Sequence, residues 1–175
     1  MQEIPPETRG RRDAVFLALF CRGIQPYLGY DQPVDGPRDR KIPRVLLLSR
    51  WDNRIGFPGG VVDPGETLRQ ACVREAMEEI GFESAEKDLV PVCSHITDDG
   101  FATHLFAREL TPEDFRRAVA GVFQAHHAEA ETTGVLTPNI EGRDFGCGLA
   151  AVRSLPFSHN AGQQLDLLIE RLRLT

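Results

Sequence analysis

Two apolar runs in the first third of the chain predict strands of a central sheet. Residues 13–21 (DAVFLALFC) are apolar at almost every position, which is typical of a strand buried on both faces. Residues 43–50 (PRVLLLSR) predict the next strand, followed by a polar turn at 51–54. Residues 22–42, between the two runs, mix glycine, proline and charged residues without periodicity, so they indicate a long loop.

A helix is predicted after a glycine-rich turn. Apolar residues recur every fourth position and define a stripe facing the core, with two more beside it: Leu68, Cys72, Ala76, Ile80, Val73 and Met77. Thr67 and Gln70 have the spacing of a capping box, in which both side chains satisfy free backbone N–H groups at the helix start. Gly81 is placed to end the helix.

The second half of the chain predicts a hairpin and two further helices. Residues 88–97 and 101–110 read as strands joined by a tight turn at Asp98-Asp99-Gly100. The remaining elements are a helix at 111–130, a short strand at 135–140 and an amphipathic helix at 161–174. Residues 1–11 are polar with two prolines and are expected to form a flexible tail, which leaves residues 12–175 as one domain. The sum is a mixed α/β sandwich.

Composition narrows the class of protein. The chain has 175 residues, 41% of them hydrophobic, as in a globular domain with a substantial core. A net charge of −6 argues against an overall electrostatic grip on nucleic acid, so we expect no stable DNA binding. No stretch is apolar for long enough to span a membrane. The four cysteines, Cys21, Cys72, Cys93 and Cys147, lack metal-ligand spacing and are interpreted as reduced thiols, which favours the cytoplasm.

The predicted helix at 68–80 carries a cluster of like charges. Glu75 lies three residues before Glu78 and four before Glu79, and each such pair costs an isolated helix roughly 0.2–0.5 kcal/mol. An exposed, solvated acidic face would explain the cluster. Hard cations such as Mg2+ also take oxygen ligands and are completed by substrate phosphates, so carboxylates beside a glycine loop can form half of a metal site.

The surrounding residues favour the metal site. Gly60, Glu66, the run Arg74 to Glu79 (REAMEE) and Gly81 follow the spacing of the Nudix box, here residues 60–82. The chain therefore resembles the Nudix hydrolases, which cut nucleoside diphosphates linked to another group. One position departs from the box, because the family prefers a larger aliphatic residue where this chain has Ala76.

The resemblance implies a fold and a set of roles. The fold is an α/β/α sandwich with a mixed β-sheet. Glu75, Glu78 and Glu79 match the glutamates that bind Mg2+ or Mn2+, and Gly59 matches the residue whose carbonyl joins them. Glu79, or a residue outside the box, takes the proton of the attacking water. The box residues with structural roles are Gly60, Glu66, Arg74 and Gly81.

Four weaker stretches resemble one branch of this superfamily, the eukaryotic enzymes that decap a small nucleolar RNA and hydrolyse inosine diphosphate. These stretches are residues 50–63, 94–96 and 103–115 and the segment ending at Leu165. The branch would place Arg50 on a phosphate or base edge, Phe57 on the nucleobase, His95 near the metal and Gln164 on the base.

One position departs from that branch. Its first strand carries a histidine that helps to hold the purine, and the aligned residue here is Phe16. A phenyl ring can stack on a base but cannot form a hydrogen bond with it, so Phe16 bears directly on base selectivity. As the structural alternative, Phe57 can be ordinary core and His95 an ordinary strand histidine.

The sequence thus predicts hydrolysis of a phosphoanhydride bond in a purine nucleoside di- or triphosphate or in 5′-capped RNA. The alternatives are an ADP-ribose or dinucleotide (NADH) pyrophosphatase and a non-catalytic nucleotide-binding module. A basic path for RNA has two candidate clusters, Arg9 with Arg11 and Arg12, and Arg38 with Arg40 and Lys41. The branch resemblance also implies a homodimer, and a nuclear location if the source is eukaryotic.

Overall fold

The computed structural model describes residues 1–24, 42–125, 132–140 and 148–174. Its strands are β1 (Gln2–Ile4), β2 (Arg12–Ile24), β3 (Ile42–Val45), β4 (Leu47–Arg50), β5 (Ile55–Gly56), β6 (Gly59–Val61), β7 (Val90–Ile96), β8 (Phe101–Glu109) and β9 (Thr132–Leu136). Its helices are α1 (Leu68–Ile80), α2 (Pro112–Gly121), α3 (Leu149–Arg153) and α4 (Ala161–Arg171), with 3-10 turns at Glu86–Asp88 and Val122–Gln124.

A mixed sheet of six strands forms the centre. Its order is β1-β7-β8-β2-β3, and β6 also pairs with β2. The hairpin strands β7 and β8 are antiparallel, whereas β8 runs parallel to β2 from Arg12 opposite Phe101 to Phe20 opposite Glu109. A second sheet has the order β5-β4-β9. The predicted mixed α/β fold is confirmed.

Helices cover both faces of the large sheet. On the face we term the α1 face, Val15, Leu17 and Phe106 pack with residues of α1 and α2. On the opposite α4 face, Phe20 and Leu105 pack with Leu165 and other residues of α4. Side chains alternate between the two faces along each strand, so register alone assigns a strand residue to one face or the other.

The helix α1 forms as its local signals require. Thr67 accepts a hydrogen bond from the N–H of Gln70, whose side chain accepts one from the N–H of Thr67, so the capping box is complete. Gly81 ends the helix in the left-handed conformation with φ 62°. Met77 does not join the buried stripe, because it is 55% exposed.

The run 43–50 is not one strand. β3 pairs with β2 in the large sheet and β4 pairs with β5 and β9 in the small one, and Leu46 between them donates its N–H to the Leu19 carbonyl. Every residue from Val45 to Leu48 is buried, so the hydrophobic pattern was continuous across the change of sheet and gave no sign of it.

The N-terminal residues, expected to be a flexible tail, pack against the domain. β1 is an edge strand antiparallel to β7, with Glu3 opposite His95. Glu7 forms two hydrogen bonds with Arg69 on α1, at 2.9 and 3.1 Å. The polar composition of this segment reflects its partners, which are charged residues elsewhere in the chain.

Other boundaries differ modestly. α2 ends at Gly121 rather than at 130, and residues 126–130 lie outside the described part of the chain. The strand expected at 135–140 lies at Thr132–Leu136, and the last helix ends at Arg171.

Within the described residues, no helix is both long and apolar enough to cross a membrane. Cys21, Cys72 and Cys93 are buried free thiols, while Cys147 is outside the described residues.

Candidate active site

Two glycines bring the backbone against α1. β6 pairs with β2, where Gly59 lies opposite Phe16 and Gly60 opposite Val15. A Cβ on Gly59 would lie 2.1 Å from the Val15 carbonyl oxygen, and its φ of 146° disfavours any other residue. A Cβ on Gly60 would lie 2.7 Å from both carboxylate oxygens of Glu75. Only glycine therefore allows this strand to approach β2 on one side and Glu75 on the other.

Glu79 is buried beneath this loop. It is 3% exposed, and its Oε2 accepts a hydrogen bond of 2.7 Å from the Gly59 N–H. Glu79 follows Ala76 by three residues and so lies on the core-facing side of α1. The acidic positions of α1 are therefore not one solvated face, and Glu79 is fixed against the loop that precedes the box.

Arg74 organises the other carboxylates. Its Nη1 donates to Glu75 Oε1 at 2.8 Å and to Glu78 Oε2 at 3.0 Å. Its Nε and Nη2 donate to the two carboxylate oxygens of Glu66 at 2.9 and 3.0 Å. The bond from Arg74 lowers the pKa of Glu66, and the bond to Glu66 raises the pKa of Arg74. The expected bracing of the loop by Glu66 and Arg74 thus has a direct geometric basis.

The donor set suits a hard divalent cation. Carboxylates of Glu75 and Glu78 converge on one guanidinium nitrogen, Glu79 is held at Gly59, and all the donors are oxygens, as Mg2+ and Mn2+ prefer. Across the described ranges, no three His, Cys, Asp or Glu side chains are gathered around one point that could hold a metal. Cation binding at these residues would therefore require their carboxylates to move closer together than they are in this structure.

A second group of polar side chains lies on the α4 face. His95 on β7 is opposite Thr103 on β8, and cross-strand partners point to the same face. The hydroxyl of Thr103 donates to Asn160 Oδ1 at 3.3 Å, at the start of α4. Gln164 lies one helical turn later and is 1% exposed. We use the name α4 pocket for this cluster of mostly buried side chains, which comprises His95, Thr103, Asn160 and Gln164.

The α4 pocket contains unpaired polar atoms. Both ring nitrogens of His95, Nδ2 of Asn160 and Nε2 of Gln164 are buried and have no hydrogen-bond partner among the described residues. Burial lowers the pKa of His95, so its imidazole is neutral near pH 7. A buried polar group without a partner costs about 1–3 kcal/mol, so these atoms would be stabilised by an ordered water or by a polar group of a ligand.

Strand register assigns His95 to the α4 face of the sheet. Ser94, its neighbour, points to the α1 face, where its hydroxyl lies 2.8 Å from His104 Nδ1. His95 therefore faces α4, whereas Glu75 belongs to α1. One residue of strand register decides this face, and the expected place of His95 near the metal stays a prediction.

The other expected substrate residues lie towards α4. Phe16 is opposite Leu105 and so lies on the α4 face, partly exposed. Phe57 is 2% exposed and packs in the core on that face. Arg50 ends β4 near Gly56, where an added Cβ would meet Arg50 Cδ at 3.7 Å and Ser158 Cβ at 3.6 Å. Its Nε is buried and unpaired within the described residues, and its nearest carboxylate is Asp52 at 4.0 Å.

Sequence reasoning missed two features of this region. Asn160 gave no signal, because it stands in a short polar run before a helix. Asp13 and His104 were read as parts of apolar strands, but Asp13 Oδ1 and His104 Nε2 lie 3.0 Å apart in the core. The signal for this pair in the sequence is the presence of a polar residue, Asp13 or His104, within each of two otherwise apolar strands. The basic cluster at Arg38, Arg40 and Lys41 lies outside the described residues.

Comparisons with known proteins identify the family to which the chain belongs. Residues 38–175 match a family model described as Nudt16-like, U8 snoRNA-decapping enzyme-like. The chain is 33% identical over 141 residues to the U8 snoRNA-decapping enzyme of Xenopus laevis, a match covering 76% of this chain and 66% of that protein. For the Mus musculus U8 snoRNA-decapping enzyme the identity is 33% over 138 residues, covering 74% and 70%.

Solved structures show the same fold. A mutT/nudix family protein from Listeria innocua superposes with a TM-score of 0.59 at 15% identity, covering 97% of this chain and 96% of that one. The nudix domain of Shewanella oneidensis NrtR, crystallised with ADP ribose, gives a TM-score of 0.57 at 19% identity, covering 94% and 90%.

Proposed function

Since the chain belongs to the U8 snoRNA-decapping enzyme-like family of Nudix hydrolases, we propose that it hydrolyses a phosphoanhydride bond in 6-oxopurine nucleotides such as inosine diphosphate, or in 5′-capped RNA. The proposal has two parts. The first is a divalent-cation site at the box, and the second is a base site in the α4 pocket.

The cation site would be formed by Glu75, Glu78 and Glu79 with the carbonyl of Gly59. A bound Mg2+ or Mn2+ ion supplies charge neutralisation at the pyrophosphate and activation of water for attack on phosphorus. Glu79 is a candidate to accept the proton of that water, because its carboxylate is buried and oriented by the Gly59 N–H. Arg74 keeps Glu75 and Glu78 together by a shared hydrogen-bond donor.

In this proposal, the unpaired amide nitrogens of Asn160 and Gln164 determine which nucleobase binds. Thr103 donates to Asn160 Oδ1, which leaves Nδ2 of Asn160 as a donor, and the unpaired atom of Gln164 is also a donor. Hypoxanthine and guanine present O6 and N7, both acceptors, whereas adenine presents the N6 amino donor beside N7. Two donors therefore match a 6-oxopurine better than adenine.

Phe16 fits this pocket as a stacking partner. It lies opposite Gly59 on β6, so a ring on the α4 face stands beside the strand that leads into the box. Because a phenyl ring cannot replace the hydrogen bonds of the branch histidine, Asn160 would supply that capacity in this proposal. His95 acts as a neutral substrate-side group in this proposal, and its role as a metal ligand stays a prediction. Phe57 packs in the core on the same face, and Arg50, whose Nε lies 4.0 Å from Asp52 Oδ1, would bind a phosphate or base edge.

A substrate panel tests the proposal. Release of phosphate or mononucleotide would be measured with Mg2+ and then Mn2+ on inosine, guanosine and adenosine diphosphates, ADP-ribose, NADH and a short capped RNA. We expect inosine and guanosine diphosphates to exceed adenosine diphosphate in kcat/KM by about 10-fold or more, since a lost hydrogen bond in a built site is costly. Equal turnover of adenosine diphosphate would contradict the base assignment.

Other results would identify another function. Preference for ADP-ribose or NADH would keep the cation site and replace the substrate, and tight binding without turnover would indicate a nucleotide-binding module. Homodimerisation and location in cytoplasm or nucleus stay predictions. Light scattering at several concentrations tests the first, and localisation of a tagged protein tests the second.

A further inference from the structure

Arg9, in the segment ahead of the predicted domain, connects the sheet to the loop between β6 and α1, residues 62–67, which we term the box loop. Its Nε donates to Asp13 Oδ2 at 2.9 Å, and its Nη1 donates to the main-chain carbonyl of Glu66 at 3.0 Å. The planar guanidinium holds these two donors in fixed geometry. Arg9 thus joins a residue of β2 to the residue that precedes the N-cap of α1.

The Asp13 end of this link is a rigid anchor. Asp13 is 4% exposed, and its Oδ1 also accepts the N–H of Gly10 at 2.7 Å. Although burial opposes ionisation, these bonds and the one to His104 keep the pKa of Asp13 below its usual value. The carboxylate is therefore charged near neutral pH and fixed from several directions.

A row of hydrogen bonds extends from Asp13 through His104 and Ser94 to the backbone of Glu7. Burial lowers the pKa of His104, so its imidazole is neutral, and Nε2–H donates to Asp13 while Nδ1 accepts from the Ser94 hydroxyl. The Ser94 oxygen in turn accepts the N–H of Glu7 at 3.1 Å. Each donated proton in this row of hydrogen bonds has one acceptor. The row therefore holds residues 7–13 in one conformation.

The Glu66 end of the link reaches the carboxylates of the box. The Glu66 side chain accepts two bonds from Arg74, whose Nη1 donates to Glu75 and Glu78. Arg9 fixes the Glu66 main chain, and Arg74 binds its side chain. A shift of Glu66 would therefore move Arg74 and the two carboxylates that Arg74 holds.

We propose that Arg9 is a positioning residue for the divalent-cation site, acting through the carbonyl of Glu66 and the Glu66–Arg74 pair. The inference rests on the proposed function, because it assigns the purpose of this link to cation binding. It makes the N-terminal segment a working part of the cation site, through the contacts of Arg9 with Asp13 and with the Glu66 carbonyl.

The test compares Arg9→Ala and Arg9→Lys with Arg12→Ala. Arg12 is an exposed neighbour that lies over the Phe101 ring, with 5.9 Å between Cζ and the ring centroid, so its loss changes the charge equally without touching the box loop. Binding of Mn2+ alone would be measured by calorimetry or by the spin-resonance signal of free Mn2+. We expect the Mn2+ dissociation constant to rise on the order of 10-fold in both Arg9 variants, as for residues that orient metal ligands, and to be unchanged in Arg12→Ala.

Two further readouts separate positioning from general charge. Lysine keeps the charge but cannot bridge Asp13 and Glu66 with a fork, so recovery in Arg9→Lys would overturn the proposal. In a Glu66→Gln background, Arg9→Ala should change Mn2+ affinity by less than half its effect in the wild type, because the shared route is already weakened. Full additivity, or normal Mn2+ affinity in Arg9→Ala, would also overturn it.

A measurement without metal keeps this test independent of the proposed function. Hydrogen exchange of residues 62–70 in the metal-free protein should be faster in Arg9→Ala than in the wild type and unchanged in Arg12→Ala. If the wild type binds no Mn2+ while the exchange result holds, the proposed cation site fails and the link from Arg9 to Glu66 stands without its purpose. Unchanged exchange would reject the link itself.

Discussion

The N–H of Gly59 donates a 2.7 Å hydrogen bond to the Oε2 of Glu79, a carboxylate that is 3% exposed. This bond joins the loop before the box to the last turn of α1, across 20 residues of sequence. It fixes the carboxylate that we propose accepts the proton of the attacking water. It also explains why Glu79, unlike Met77 two residues earlier, is turned into the protein.

Replacement of Glu79 by Gln tests its chemical role. The Gln carbonyl can still accept the Gly59 N–H, so folding and nucleotide binding should persist, while kcat falls by about 100-fold or more because a general base is lost. Turnover would be compared with nucleotide binding by calorimetry, using Glu83→Gln, an exposed glutamate beyond the helix, as the control. Unchanged turnover would remove Glu79 from the site.

Gly60→Ala tests the close approach of β6 to Glu75. The new methyl would lie 2.7 Å from both Glu75 oxygens, so the carboxylate must move, although the rest of the domain need not. We expect Mn2+ affinity to fall by about 10-fold, with a much smaller change in thermal midpoint. Gly134→Ala is the control, because among the described residues its Cβ would meet the Ser49 Cβ alone, at an ordinary contact distance of 3.6 Å. Equal Mn2+ affinities in the two variants would contradict the prediction.

Gln164→Glu tests the base site. The change replaces a buried amide donor by an acceptor with nearly the same shape, so kcat/KM for inosine diphosphate should fall by about 10-fold or more relative to that for adenosine diphosphate. Gln163→Glu, one residue earlier on the exposed side of α4, adds the same charge and should leave the ratio unchanged. An unchanged ratio in Gln164→Glu would place the base elsewhere.

Acid should destabilise the protein through its buried histidines. Burial lowers the pKa of His104 and of His95 below the ordinary value of 6.5, so below that pH the unfolded chain binds protons that the folded chain does not. The free energy of unfolding should therefore decrease from pH 7 to pH 5. Asp13 does not contribute in this window, because its pKa is lowered from 3.8 and its stabilisation is lost only at lower pH.

Thermal unfolding across that range provides the measurement. His104→Gln should give a shallower fall in midpoint between pH 7 and pH 5, at the cost of a lower midpoint at pH 7, since it removes the group that titrates and weakens the bond to Asp13. His159→Gln, at an exposed site, should reproduce the slope of the wild type. A wild-type midpoint that does not fall would show that neither histidine is protonated on unfolding.

Local chemistry determined α1 and the hairpin from the sequence alone. The capping residues Thr67 and Gln70, the stop at Gly81 and the spacing of the glutamates act within a few residues of one another, so composition and spacing suffice to specify them. The same holds for the turn after β7, where Gly100 has φ 83° and donates its N–H to the Thr97 carbonyl. The family follows from these local patterns.

The tertiary structure decided the features that depend on distant partners. The division of 43–50 between two sheets at Leu46, the docking of residues 1–11 and the exposure of Met77 all depend on segments that the local pattern cannot contain. His95 faces α4 because strand register turns alternate residues to opposite faces, and Asn160 joins it only because α4 begins beside Thr103. A sequence records which groups are available, whereas long-range packing decides which of them meet.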